Sequence, residues 1–156
     1  MILSKELPLR TGVGIILLNK ENKVFVGRRI DNPKKFWQMP QGGVEKNESF
    51  FQAAKRELKE ETGIKSVKLI KKIDGWYIYN LPKILLGKIW KGKYRGQKQK
   101  WFIMNFQGND KEININTDNP EFLDWKWVKP FHLPKVAVHF KVDMYKKLLL
   151  ELNYLD

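Results

Sequence analysis

Glu57, Glu60 and Glu61 stand at i, i+3 and i+4 in the stretch RELKEETG. At helical pitch, about 100° per residue, all three share one face. Like charges so spaced destabilise a helix by roughly a few tenths of a kcal/mol per pair, so the crowding calls for a compensating cation. Winding the helix from Ser49 puts Phe50, Ala53 and Ala54 on an apolar face that Glu57 and Glu61 continue. Gln52, Lys55 and Lys59 fall on the solvated side. Unpaired carboxylates beside a core cost several kcal/mol or take up a proton. One remedy is basic partners: Arg56 reaches Glu60 by spacing and lies toward Glu57. The other is a divalent ion, and hard oxygen donors favour Mg²⁺ or Mn²⁺. Spacing alone leaves both remedies open.

The elements that must position these acids are legible around them. Asn47 or Ser49 is placed to cap a helix running to Thr62, and Gly63 suits its left-handed C-terminal cap. VGIILLN (13–19) and KVFVGRR (23–29) flank the polar KEN as a hairpin. NPKK (32–35) breaks that pattern, and residues 36–48, with Pro40, Gly42 and Gly43, read as a loop. Residues 64–79 read as strands joined by short turns, 101–106 as a strand and 121–128 as another. Phe140, Met144, Leu148 and Leu152 recur every four residues, predicting an amphipathic helix over 136–152. With no repeat or low-complexity linker, residues 1–156 read as a single mixed α/β domain.

Composition bounds the partners. The 156 residues are 42% hydrophobic, with six tryptophans and nine phenylalanines, which excludes a disordered chain. Cysteine is absent, excluding disulfides, thiolate metal sites and a cysteine nucleophile. That absence, and an N-terminus without a secretory signal pattern, fit a cytoplasmic protein. No apolar run is long enough to span a bilayer, so no membrane partner is expected. The net charge of +13 points to polyanions. Much of it lies in residues 82–101, PKILLGKIWKGKYRGQKQKW, which contain no acid. This stretch reads either as a solvated loop and strand edge blunted by lysines, or as a phosphate track with Trp90, Tyr94 and Trp101 as stacking surfaces. His132 and His139 stand without partners at ligand spacing, and neither Ser49 nor Ser66 sits on a nucleophile elbow.

Residues 42–64, GGVEKNESFFQAAKRELKEETGI, resemble the Nudix box. Gly42, Glu48, Arg56, Glu57, Leu58, Glu60, Glu61, Gly63 and Ile64 fill its fixed positions. The resemblance implies a Nudix α/β/α sandwich with a mixed sheet, in which the box forms a loop–helix–loop. It implies that Glu57, Glu60 and Glu61 bind a divalent metal, joined by a backbone carbonyl near Gln41 or Gly42. It also implies that Glu48 and Arg56 form a supporting salt bridge.

VGIILLN, WQMPQGGV, LPK, RGQKQKWF, PEFLDWKWV and HFKVDMYKK are similar, in order, to the subgroup holding bacterial RNA pyrophosphohydrolases and dinucleoside polyphosphate hydrolases. The similarity spans residues 10–147. It implies metal-assisted hydrolysis of an RNA 5′-triphosphate end to a monophosphate, a step that starts RNA decay. The alternative is a dinucleoside polyphosphate as substrate, or, at a further remove, a non-catalytic RNA-binding module. By the same resemblance Arg10 and Arg29 contact phosphates or RNA, and Tyr79 and Lys83 lie beside the phosphates. Gln97, Lys98 and Lys100 form the nucleotide-side QKQK motif, and Phe140 packs on a base. Glu121, in PEF, is implied as a further metal ligand and, with Glu61, a candidate proton acceptor.

Overall fold

The computed structural model describes residues 7–31 and 36–153. The NPKK break and both ends of the chain lie outside the described residues. Strands β1 (Leu9–Leu18) and β2 (Val24–Arg29) form the expected antiparallel hairpin, with Leu18 opposite Val24. Asn19 closes it: its side-chain oxygen accepts the N–H groups of Glu21 and Lys23 at 2.9 and 3.0 Å. Asn22 takes the left-handed φ of 59° that asparagine tolerates.

The chain continues through β3 (Gln41–Gly43), α1 (Phe50–Thr62), β4 (Val67–Lys72), β5 (Tyr77–Asn80), β6 (Gly96–Phe106), β7 (Phe122–Val128), α2 (Leu133–Val136) and α3 (Val142–Leu152). The sheet order is β4-β6-β1-β2-β7, with β3 beside β1 and β5 beside β6. β1 and β6 run parallel from Leu9–Gly96 to Leu18–Asn105, and the other pairs are antiparallel. Being central and covered on both faces, β1 reads as a continuous apolar run rather than an alternating one. On one face Ile16, Val26, Trp101 and Ile103 pack against Met144, Tyr145 and Leu148 of α3. On the other, Val13, Ile15, Phe102 and Met104 pack against Ala53, Ala54 and Leu58 of α1. This is the expected α/β/α sandwich. Among the described residues, no helix is long and apolar enough to cross a membrane.

Three readings change. The loop over 36–48 contains the short strand β3. β6 begins at Gly96, so QKQK lies inside the sheet between β1 and β5 rather than at a strand edge. The C-terminal helix starts at Val142, not Val136. The Val136 carbonyl accepts Trp37 N–H at 2.8 Å, and Ala137 and Val138 are extended, with ψ of 151° and 146°. Phe140 therefore sits on a separate 3₁₀ turn, His139–Lys141.

Candidate active site

Both ends of α1 are pinned, which fixes where its acids point. Ser49, not Asn47, is the N-cap: its hydroxyl accepts Gln52 N–H at 3.1 Å, and Gln52 Oε1 accepts Ser49 N–H at 2.9 Å. This reciprocal pair satisfies two donors the helix start would leave orphaned. Gly63 ends the helix at φ 74°, a conformation costly for other residues, and its N–H donates to Lys59 O at 2.8 Å. Ala53, Ala54 and Leu58 are fully buried, and the same stripe carries Glu61 down to 2% exposure. Glu57 is half-buried and Glu60 exposed, so the three acids occupy different depths.

β3 lies against this acidic stripe. Gln41, Gly42 and Gly43 pair with Gly14, Val13 and Gly12, and a Cβ on Gly42 would overlap the Glu57 carboxylate. Only glycine admits so close an approach. Arg56 ties the strand, loop and helix together. Its Nε and Nη2 donate to Glu48 at 2.7 and 3.0 Å, Nη2 also to Gly43 O at 2.9 Å, and Nη1 to Glu57 at 2.9 Å and Glu60 at 3.2 Å. The guanidinium's bonds hold the Glu48 carboxyl below the usual range. Glu57 moves the other way: burial raises it, against the pull of Arg56.

Glu61 receives no such help. Both of its carboxylate oxygens are buried without a hydrogen-bond partner. Burial pushes its pKa well above the ordinary carboxylate range, and the charges of Glu121 and Glu57 push it further. A cavity of about 470 Å³ opens here, lined in part by Arg56, Glu57, Glu60, Glu61, Asn119 and Glu121. Among the described residues no three carboxylates converge as a ready-made metal cage; Arg56 already holds Glu57 and Glu60. The donor chemistry nevertheless fits a hard divalent cation: orphaned anionic oxygens in a crowded, buried acidic cluster lack positive charge.

Across β3 the site is cationic. Arg10, on β1, donates from Nη1 to Gln97 Oε1 at 3.3 Å, lies against Gly43, and sits 5.6 Å from the centre of the Trp90 ring. Gln97 Nε2 donates to the Tyr79 hydroxyl at 2.7 Å, and the Tyr79 ring lies 5.8 Å from that of Phe140. Arg29 is gripped by Asp31 at 2.6 and 2.7 Å and feels the charges of Glu121 and Glu61. Lys83 occupies an exposed turn, Lys83–Leu85. Lys98 and Lys100 leave β6 on the opposite face from Gln97, so the QKQK motif is divided between two surfaces.

Sequence reasoning missed Lys141. It is 5% exposed, and its Nζ donates to the side-chain oxygens of Gln38 and Gln41 at 3.2 and 3.5 Å. Burial, then the Arg29 charge, lower its pKa to about 7, while Glu61 pulls the other way. The available signal was its place directly after Phe140.

A mixed sheet between helices, with an acidic helix braced through one arginine to a glycine strand, is the architecture of Nudix hydrolases. The NUDIX domain model matches residues 8–148, and the chain belongs to that family. Nudix hydrolases generally use divalent metal ions. The chain is 63% identical over 140 residues to a protein of Pelagibacter ubique (strain HTCC1062) named RNA pyrophosphohydrolase, a match covering 90% of this chain and 89% of that one. It is 45% identical over 150 residues to the protein of that name in Rickettsia canadensis (strain McKiel), covering 96% and 93%. Among solved structures, the E. coli dihydroneopterin triphosphate pyrophosphohydrolase superposes with a TM-score of 0.70 at 21% identity, covering 94% of this chain and 99% of that one. A C. elegans Ap4A hydrolase binary complex does so at 0.65 and 19%, covering 92% and 99%. At such identities these two structures share the fold.

Proposed function

We propose that this Nudix hydrolase converts the 5′-triphosphate end of RNA to a 5′-monophosphate, releasing pyrophosphate or successive phosphates. The observation that carries the reading is Glu61, buried with two unpartnered oxygens in a cavity shared with Glu121 and within the electrostatic field of Arg29 and Lys141. The names of relatives up to 63% identical favour RNA as the substrate.

Glu57, Glu60, Glu61 and Glu121 would hold a divalent cation, Mg²⁺ or Mn²⁺, with a carbonyl of Gln41 or Gly42. When bound, that ion supplies neutralising charge for phosphate oxygens and lowers the pKa of water. Water attacks a phosphorus; a new P–O bond forms, the anhydride P–O bond breaks, and the leaving phosphate keeps the bonding pair. Glu61 or Glu121 takes the proton from the water. Arg10, Arg29 and Lys141 would offset the charge of the phosphate chain. Gln97 orients both Arg10 and Tyr79, and Tyr79 with Phe140 offers an aromatic surface to a base.

The test is side-by-side hydrolysis, with Mg²⁺, of a short 5′-triphosphate RNA and diadenosine tetraphosphate at equal concentrations. Faster turnover of the RNA is expected. Faster turnover of the dinucleotide would move the reading to dinucleoside polyphosphate hydrolysis.

A further inference from the structure

The lysines that β6 sends away from the pocket converge on one exposed ring. Lys98 Nζ and Lys100 Nζ lie 4.8 and 4.4 Å from the centre of the Trp76 ring. Trp76 is 42% exposed, and its ring meets Phe50 edge to face at 5.7 Å. Lys72 Nζ sits 5.9 Å from the Phe50 centre. Among the described residues, none of these three lysines pairs with a carboxylate. The nearest acid in sequence, Asp74, makes no ion pair with them among the described residues; it lines a groove against α3 whose edge Trp76 shares. Three ammoniums without carboxylate partners surround exposed Trp76 and half-buried Phe50, and a bound polyanion would relieve their mutual repulsion. A polymer alternating phosphates with flat bases matches this surface in both respects.

We propose that Trp76, Phe50, Lys72, Lys98 and Lys100 bind the RNA chain downstream of the 5′ end, on the sheet face opposite Arg10, Gln97 and Tyr79. This rests on RNA being the substrate. Gln97 and Lys98 are adjacent residues near the end of the sheet where β1 and β6 begin, so a strand leaving the pocket reaches this face by rounding that end. The QKQK motif then has two jobs: its glutamines serve the pocket, and its lysines hold the tail of the same molecule.

The test compares Trp76→Ala with the parent protein on a 5′-triphosphate trinucleotide and a 5′-triphosphate 20-mer at low salt. On the 20-mer kcat/KM is expected to fall about tenfold, as loss of base stacking implies. On the trinucleotide it should change less than twofold, with unchanged circular dichroism. Equal loss on both lengths, or no loss on either, overturns the proposal. A second measurement is independent of the chemistry at the 5′ end: binding of a 5′-hydroxyl 20-mer across salt concentrations. Lys98→Gln combined with Lys100→Gln should flatten the slope of log affinity against log salt by roughly 1.4, the value for two contacts to a single strand. An unchanged slope overturns the site even if hydrolysis succeeds. A normal slope change without triphosphate hydrolysis upholds the site and discards the proposed reaction. Equal competition by polyglutamate would overturn RNA as the occupant.

Discussion

The acidic half of the site on α1 and the cationic half across β3 are held by opposite constructions. Glu57, Glu60 and Glu61 come from five consecutive positions of one helix, and a single guanidinium, Arg56, is shared by Glu57, Glu60 and Glu48. Arg56 does not reach Glu61. The cations come from separate places: Arg10 from β1, Arg29 from β2, Lys141 from the turn before α3. Arg10 and Lys141 are held by the side-chain oxygens of Gln97, Gln38 and Gln41, which are dipoles rather than charges. Both stay oriented by these dipoles; Arg10 keeps its charge, while the Lys141 pKa of about 7 leaves that lysine poised between charged and neutral. One half is a local feature of sequence; the other exists only when distant segments meet.

This contrast can be broken at several points. The largest effect is expected from Glu61→Gln, which removes the buried charge but keeps the shape: turnover should fall by several orders of magnitude with the fold intact. A rate within tenfold of the parent would remove Glu61 from the centre of the acidic half. Gly42→Ala should come next. The clash falls on the movable Glu57 carboxylate, so stability should change by less than about 3 kcal/mol. Turnover should fall roughly 100-fold, as for a misplacement of about 1 Å. A large loss of Tm with normal specific activity in the folded fraction would contradict that division. Arg56→Lys keeps the charge but loses the fork that spans Glu48, Glu57 and Glu60, and should lower activity or metal affinity 10- to 100-fold, roughly the cost of losing an orienting partner.

The smallest effect tests the cationic half. Lys141 has a folded pKa of about 7, below the ordinary unfolded value near 10.4. Between those values the unfolded chain binds the extra proton, so this residue's contribution makes stability rise with pH across that window and fall as pH drops through about 7. Thermal melts of the metal-free protein from pH 7 to 9.5 should show a rise that Lys141→Met flattens. An identical pH profile in the variant would mean that the lysine is solvated.

The same contrast explains what the sequence revealed. α1 was legible to the residue at its C-terminal end because Gly63 is a chemical stop, and Ser49 with Gln52 is a chemical start. Apolar patterning implied a mixed α/β domain, and the sandwich was implied by the resemblance of residues 42–64 to the Nudix box. β6 was seen only from Trp101 onward because Gln97 and Gln99 are polar, yet pairing on both sides buries them. Their strict alternation with lysine was the overlooked sign of a strand. Phe140 shared the four-residue period of α3 while belonging to a different turn, since a helix period does not register where Trp37 captures the Val136 carbonyl. Lys141 offered one cue, its place directly after Phe140, but its burial depends on distant partners, Gln38 and Gln41.

The hydrogen bond from Met39 N–H to the Tyr145 hydroxyl, 2.8 Å long, joins residues 106 positions apart. That span sets when the molecule becomes competent. Contacts of such long range form late, because the entropy of closing the loop comes before any reward. Translation releases α1 and its glutamates first, whereas Lys141 and Tyr145 follow Glu61 only after about 80 further residues. A growing chain therefore carries the acidic helix for some seconds, at roughly 5–20 residues per second, with no pocket around it. Hydrolysis of a 5′-triphosphate waits until α3 has closed over the sheet.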